Sequence, residues 1–211
     1  MKPSLHQTGL TAAAALAASS SSAQDLLSLD EFITQMRAKD DKVRGPAWQN
    51  AGPQGAPAIG PLSSVMTDSD FEVARAAKRA LWQIVHHAGR PGADKERKAA
   101  AHELLKLLKH ASSLVRHEAL WMLSEIGEKD AVAPIAALLA NRESREDARA
   151  ALERIPGQES IKALESALKS VPEEFKPAVA QSLRAKGVKV SGYPSQKLVP
   201  TRPAGSTATT G

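Results

Sequence analysis

The chain has 211 residues, 42% of them hydrophobic but only 3% aromatic, and no cysteine. That suits one domain with an aliphatic, alanine-rich core, and it excludes disulfides, thiolate nucleophiles, thiolate zinc sites and lipid attachment through cysteine. The formal charge of +5 does not point to a polyanion, because without Lys2, Lys189, Lys197 and Arg202 near the two ends, 24 basic residues face 23 acidic ones; nucleic acid is not the expected partner.

Residues 1–23, MKPSLHQTGLTAAAALAASSSSA, join one early lysine to a weakly apolar, alanine-rich centre, with small residues at Ser21 and Ala23. This is the pattern a bacterial signal peptidase reads, and it predicts a signal peptide cut after Ala23. The protein is therefore expected to be exported, periplasmic or secreted. No later stretch reaches transmembrane length, so no membrane insertion is expected once the leader is removed.

From residue 29 apolar residues recur at helical spacing, and the helices come in pairs. Leu29, Phe32, Ile33 and Met36 mark a first helix, and Val43 and Ala47 a second, ended by Gly52 and Pro53. Ile59, Leu62 and Val65 precede Val73, Ala77, Ala80, Leu81 and Ile84, ended by Gly89. Leu104, Leu105 and Leu108 precede the stretch 114–127, LVRHEALWMLSEIG. In it Val115, Ala119, Met122, Leu123 and Ile126 share one stripe, and Gly127 closes the helix. Val132, Ile135, Leu138 and Leu139 go with Ala148, Ala151, Leu152 and Ile155. Ile161, Leu164 and Leu168 go with Phe175, Val179 and Leu183, ended by Gly187.

The slots of 114–127 can be laid over the other second helices, starting at Val43, Val73, Ser144 and Phe175. With Val115 as the start of the third, these starts are 30, 42, 29 and 31 residues apart, so the chain is an array of internal repeats. The long interval contains residues 86–98, HHAGRPGADKERK, which reads as a loop with a lengthened start to the next helix. Such an insertion projects from one edge of an array, as a contact finger or as a solvated spacer.

One hairpin of this kind buries too few aliphatic side chains to offset the cost of ordering its backbone, so the repeats are expected to stack. Terminal repeats should then carry polar residues where no neighbour covers them. Asn50 in the first repeat, and Ser182 and Lys186 in the last, occupy such apolar slots. Beyond Val188 the chain is dense in Ser, Thr, Gly and Pro, and 189–211 is expected to be an extended, disordered tail whose 193–199 section could cap the last repeat.

The segments TDSDFEVARAAKRALWQIV, VRHEALWMLSEIG and REDARAALERIPG resemble HEAT repeats, in particular the short HEAT-like class also seen in bilin lyases. The resemblance covers residues 29–187. It implies an all-α solenoid of about five stacked helix pairs, bounded as residues 24–188, with the second helices lining the concave side. For exported bacterial members it implies work as an interaction scaffold. Ala74, Ser144 and Pro177 depart from the family pattern and bear on the regularity of the ends.

His117-Glu118 is similar to the His-Glu pair of deoxyhypusine hydroxylase, a HEAT-repeat enzyme that holds two irons. A dinuclear site needs ligands converging from several repeats. The equivalent pairs here, Gly45-Pro46, Arg75-Ala76, Glu146-Asp147 and Pro177-Ala178, supply no histidine, and His102-Glu103 lies out of register on a first helix. His86 and His87 are adjacent and so point apart on a helix. There is no glycine-rich phosphate loop and no nucleophile elbow. No cofactor is expected, and a bilin-lyase-like or metal-dependent activity is the alternative reading.

The main reading comes from the side of each second helix opposite its core stripe, at the third, sixth, seventh and tenth places from the repeat start. These places hold Trp48 in the first repeat, Arg75, Lys78, Arg79 and Trp82 in the second, and His117 and Trp121 in the third. Residues 74–110 carry nine Lys/Arg against three Asp/Glu, whereas 24–73 carry four against eight and 111–174 eight against twelve. Tryptophan supplies area and arginine directional hydrogen bonds where a partner is gripped. The expectation is a basic groove studded with indoles that binds another protein or an acidic peptide. The alternative is that the tryptophans pack sideways against neighbouring helices while the charges only solvate the surface.

Overall fold

The computed structural model describes residues 26–194, so the leader at 1–23 and the tail beyond Pro194 lie outside the described residues. The described residues form ten α-helices and four short 3-10 turns, with no strand. The pairs are α1 (Leu29–Met36) with α2 (Asp41–Gln49), α3 (Ile59–Val65) with α4 (Phe71–Ala88), and α5 (Asp94–Leu107) with α6 (Ser113–Ile126). They continue with α7 (Lys129–Ala136) and α8 (Arg145–Arg154), then α9 (Gln158–Ser170) and α10 (Lys176–Ala185). First helices touch first helices and second helices touch second helices from each pair to the next. The fold is an α-solenoid of five hairpins, as the repeat spacing implies.

Side-chain caps start three of the described helices. Ser28 and Glu31 form a reciprocal capping box on α1. The Asp40 carboxylate accepts from the Lys42 amide on α2, and that of Asp70 accepts from the Glu72 and Val73 amides on α4. The last hairpin stops at Gly187, whose φ of 83° suits glycine. There the Val188 amide donates to the Leu183 carbonyl and the Gly187 amide to that of Arg184, a Schellman closure. Between the helix rows runs one continuous aliphatic core, from Phe32 and Met36 through Leu62, Ile84, Leu104, Leu123, Ile135 and Leu152 to Leu164 and Leu183.

Five local expectations are corrected. Val73, Val115, Ser144 and Phe175 are all buried, but Val43 in the same slot is 41% exposed. That slot faces the preceding repeat, as the Arg145 guanidinium 4.7 Å over the Phe175 ring shows, and no described repeat precedes α2. The next residue, Arg44, is buried instead, and its guanidinium binds the Ala38 carbonyl and Asp41, closing the α1–α2 turn. The same geometry leaves Asn50 exposed as expected but turns Ser182 and Lys186 back onto α8. The Ser182 hydroxyl donates to Glu153 at 2.7 Å, and the Lys186 ammonium donates to the Glu153 and Ile155 carbonyls at 3.0 and 2.7 Å.

Residues 86–98 are mostly helical, because α4 runs on to Ala88 and α5 starts at Asp94, leaving only residues 89–93 as a connection. Pro177 does not interrupt α10. It stands in the first turn, where no amide donor is needed. Nor does the chain leave the solenoid at Val188: Arg184 donates to the Val190 and Tyr193 carbonyls, and Val188 and Val190 pack on the core. Among the described residues no helix is long and apolar enough to cross a membrane.

Candidate binding face

The seven candidate residues stand on α2, α4 and α6, and contacts between the second helices join several of them in ways the isolated helices did not show. Trp48 of α2 is half-buried against the core, with the Arg79 guanidinium of α4 lying 5.0 Å from its ring centroid. This is a cation–π pair across the first two repeats. Arg79 has no ion pair among the described residues, so its charge is left uncompensated above that ring. Arg75, one turn earlier, pairs with Glu72 and lies 5.7 Å over the ring of Phe71, which is 71% exposed.

Trp82 is also half-buried on the core, and its indole N–H donates to Glu118 of α6 at 3.3 Å. Lys78 forms an ion pair with the other oxygen of the same carboxylate. Glu118 thus ties the second repeat to the third and neutralises one of the cations expected to be free. Reading the helix by its wheel missed Glu118, which falls between the core and groove places. Its adjacency to His117 was the available signal.

His117 places Nδ1 3.3 Å from an oxygen of Asp147 on α8, so the third repeat is tied to the fourth. Its Nε2 is buried without a hydrogen-bond partner in the structure. Trp121 differs from the other two tryptophans. It is 43% exposed, and the place that follows it on α8 is Ala150. The face is therefore less basic than the charge count implied. Two indoles are partly committed to packing, and the third is largely exposed.

Farther along, α8 and α10 turn their polar groups on each other. Arg149 bonds Glu146, Glu153 and Ser182, while Arg154 reaches Glu125 of α6. Among the described residues no group of three His, Asp or Glu side chains converges in a way that could hold a metal ion.

The fold and the seam of second helices define an α-solenoid repeat protein. Two overlapping matches to the HEAT-repeat family model cover residues 63–153 and 101–184, more than half of the chain, and the chain belongs to that family. No curated protein matches it. Among solved structures it is similar to an engineered protein from the Northeast Structural Genomics Consortium, with 22% identity and a TM-score of 0.41 over 76% of this chain and 79% of that one. It is also similar to a designed armadillo repeat protein in complex with the peptide (KR)4, with 23% identity and a TM-score of 0.40 over 76% and 88% of the two chains.

Proposed function

We propose that this HEAT-repeat solenoid is a non-enzymatic scaffold that binds an acidic peptide segment of another protein on the face formed by α2, α4 and α6. Helical repeat solenoids are widely used as protein-binding scaffolds. The observation that carries the reading for this chain is Trp121, an indole 43% exposed on the α6 side of the face, one second helix along from Arg79 of α4, which has no ion pair among the described residues. A half-exposed indole has no stability reason to stand in water, and it offers large contact area at low conformational cost. Arg79 supplies the charge that selects acidic over basic segments. The same reading includes export of the protein, supported by the composition of residues 1–23.

The test is titration of a fluorescein-labelled hexaglutamate peptide by fluorescence anisotropy, with hexalysine as control. Trp121→Ala combined with Arg79→Glu should abolish hexaglutamate binding and leave far-UV circular dichroism unchanged. Equal binding of the two peptides, or an unaltered affinity in the double variant, rejects the reading.

A further inference from the structure

A cleft of about 910 Å³ opens at the N-terminal end of the solenoid, walled by α1, the C-terminal half of α2, the turn at residues 52–54 and the last turns of α4. The α4 wall exists because residues 86–88 extend that helix beyond the length of the other second helices. Among the described residues the lining contains no aspartate, glutamate or lysine. Its one permanently charged group, Arg90, is already occupied by the His87 carbonyl and by Glu96. That hydrogen bond holds the Glu96 carboxyl below its ordinary value.

What the cleft does offer is uncharged hydrogen-bonding capacity. The amides of Gln35, Gln49 and Gln83 line it and have no protein partner among the described residues. Asn50 spends its N–H on the Pro46 carbonyl and keeps its oxygen free. His86 lines the same space, its ring centroid 5.6 Å from that of Trp82. Phe32, Pro46, Ala47 and Pro53 supply apolar wall between these groups.

This lining selects by chemistry. A charged ligand would lose its hydration and meet no free countercharge. A purely apolar ligand would bury the glutamine amides unpaired. A sugar ring would find no exposed aromatic face, since the one ring of Phe, Tyr or Trp in the lining, Phe32, is 1% exposed. An extended peptide main chain carries alternating N–H and C=O groups without charge, and side-chain amides match both.

The cleft also borders the candidate face, since Gln49 holds the seventh, outward place of α2 and the ring of the cleft's His86 lies 5.6 Å from that of Trp82. Resting on the peptide-binding reading above, we propose that the cleft binds the main chain of an extended, uncharged stretch of the partner peptide, next to the acidic stretch that meets Arg79 and Trp121. The partner segment is thus two-part in chemistry, acidic on one side and neutral on the other.

The probes are fluorescein-labelled peptides titrated onto the full chain: hexaglutamate, hexaglutamate followed by three Ser-Ala units, the same peptide N-methylated in its Ser-Ala half, and dodecaglutamate. The two-part probe should bind roughly tenfold tighter than hexaglutamate, the gain expected from two or three added neutral hydrogen bonds. N-methylation should remove that gain, and dodecaglutamate should not reproduce it. Gln49→Ala with Gln83→Ala should lower the two-part probe to the hexaglutamate affinity and leave hexaglutamate itself unchanged.

Hexaglutamate binding that depends on Arg79, with no benefit from the Ser-Ala half, overturns the cleft proposal alone. Coverage of the cleft by the chain's own residues ahead of Leu26 would give that result. A gain that survives N-methylation, or that the glutamine variants do not touch, overturns it too. Failure of every probe to bind rejects the cleft proposal and the peptide-binding reading together.

Discussion

The two ends of the solenoid use their polar groups in opposite ways. At the C-terminal end nearly every polar side chain on the second-helix face is spent on a neighbouring repeat: Arg149 on Glu153 and Ser182, Lys186 on the carbonyls that close α8, Arg184 on the returning chain at Val190 and Tyr193. At the N-terminal end, among the described residues, the amides of Gln35, Gln49 and Gln83 are unspent and Arg79 is met only by an indole. Stacking identical hairpins therefore does not produce identical surfaces. A repeat bonded to its neighbour contributes stability, and one with idle donors and acceptors contributes a place to bind.

The largest effect that can break this comparison lies in the repeat slot itself. Val115→Ala in the middle of the array should cost about 2.5 kcal/mol, two buried methyl groups plus a cavity, whereas Val43→Ala in the matching terminal slot should stay within about 0.5 kcal/mol. Urea unfolding followed by circular dichroism measures both, and equal costs would mean that the first repeat is covered after all. Next comes the polar face. Arg149→Ala should cost about 2 kcal/mol by leaving Glu153 and Ser182 without their cation, against about 0.5 kcal/mol or less for Gln83→Ala.

Lys186→Met, which frees the carbonyls of Glu153 and Ile155, should cost about 1 kcal/mol. The smallest effect is its pH dependence. Burial lowers the Lys186 pKa from its ordinary 10.5, with Glu153 opposing. Between the lowered value and 10.5 the unfolded chain holds more protons than the folded one, so stability should rise with pH across that alkaline window. The rise should vanish in Lys186→Met, and its persistence there would assign it to another group.

Architecture was legible because the same slots recur five times, and a pattern that must bury one face in every copy leaves little freedom in register. What the pattern could not carry was direction along the array. Val43, Ser182 and Lys186 each occupy a repeat slot, yet whether that slot meets protein or water depends on which side the next hairpin lies. The candidate face was legible only as residue types. Trp82 and Lys78 meet Glu118, and His117 meets Asp147, through the offset between adjacent helices, and a wheel drawn for one helix contains no such offset. The glutamines of the cleft come from three separate helices and gave no local motif.

The seams also set how the molecule should respond to force. Between the third and fourth hairpins the chain is laced by Arg97 to Glu128, Arg116 to Glu143, His117 to Asp147 and Arg154 to Glu125. Between the first and second, the polar links among the described residues are Arg37 to Asp68 and the stacking of Arg79 on Trp48. A tether pulling the ends apart would meet its fewest polar links at that first seam, so tension would be felt first as a change in the shape of the cleft beside it.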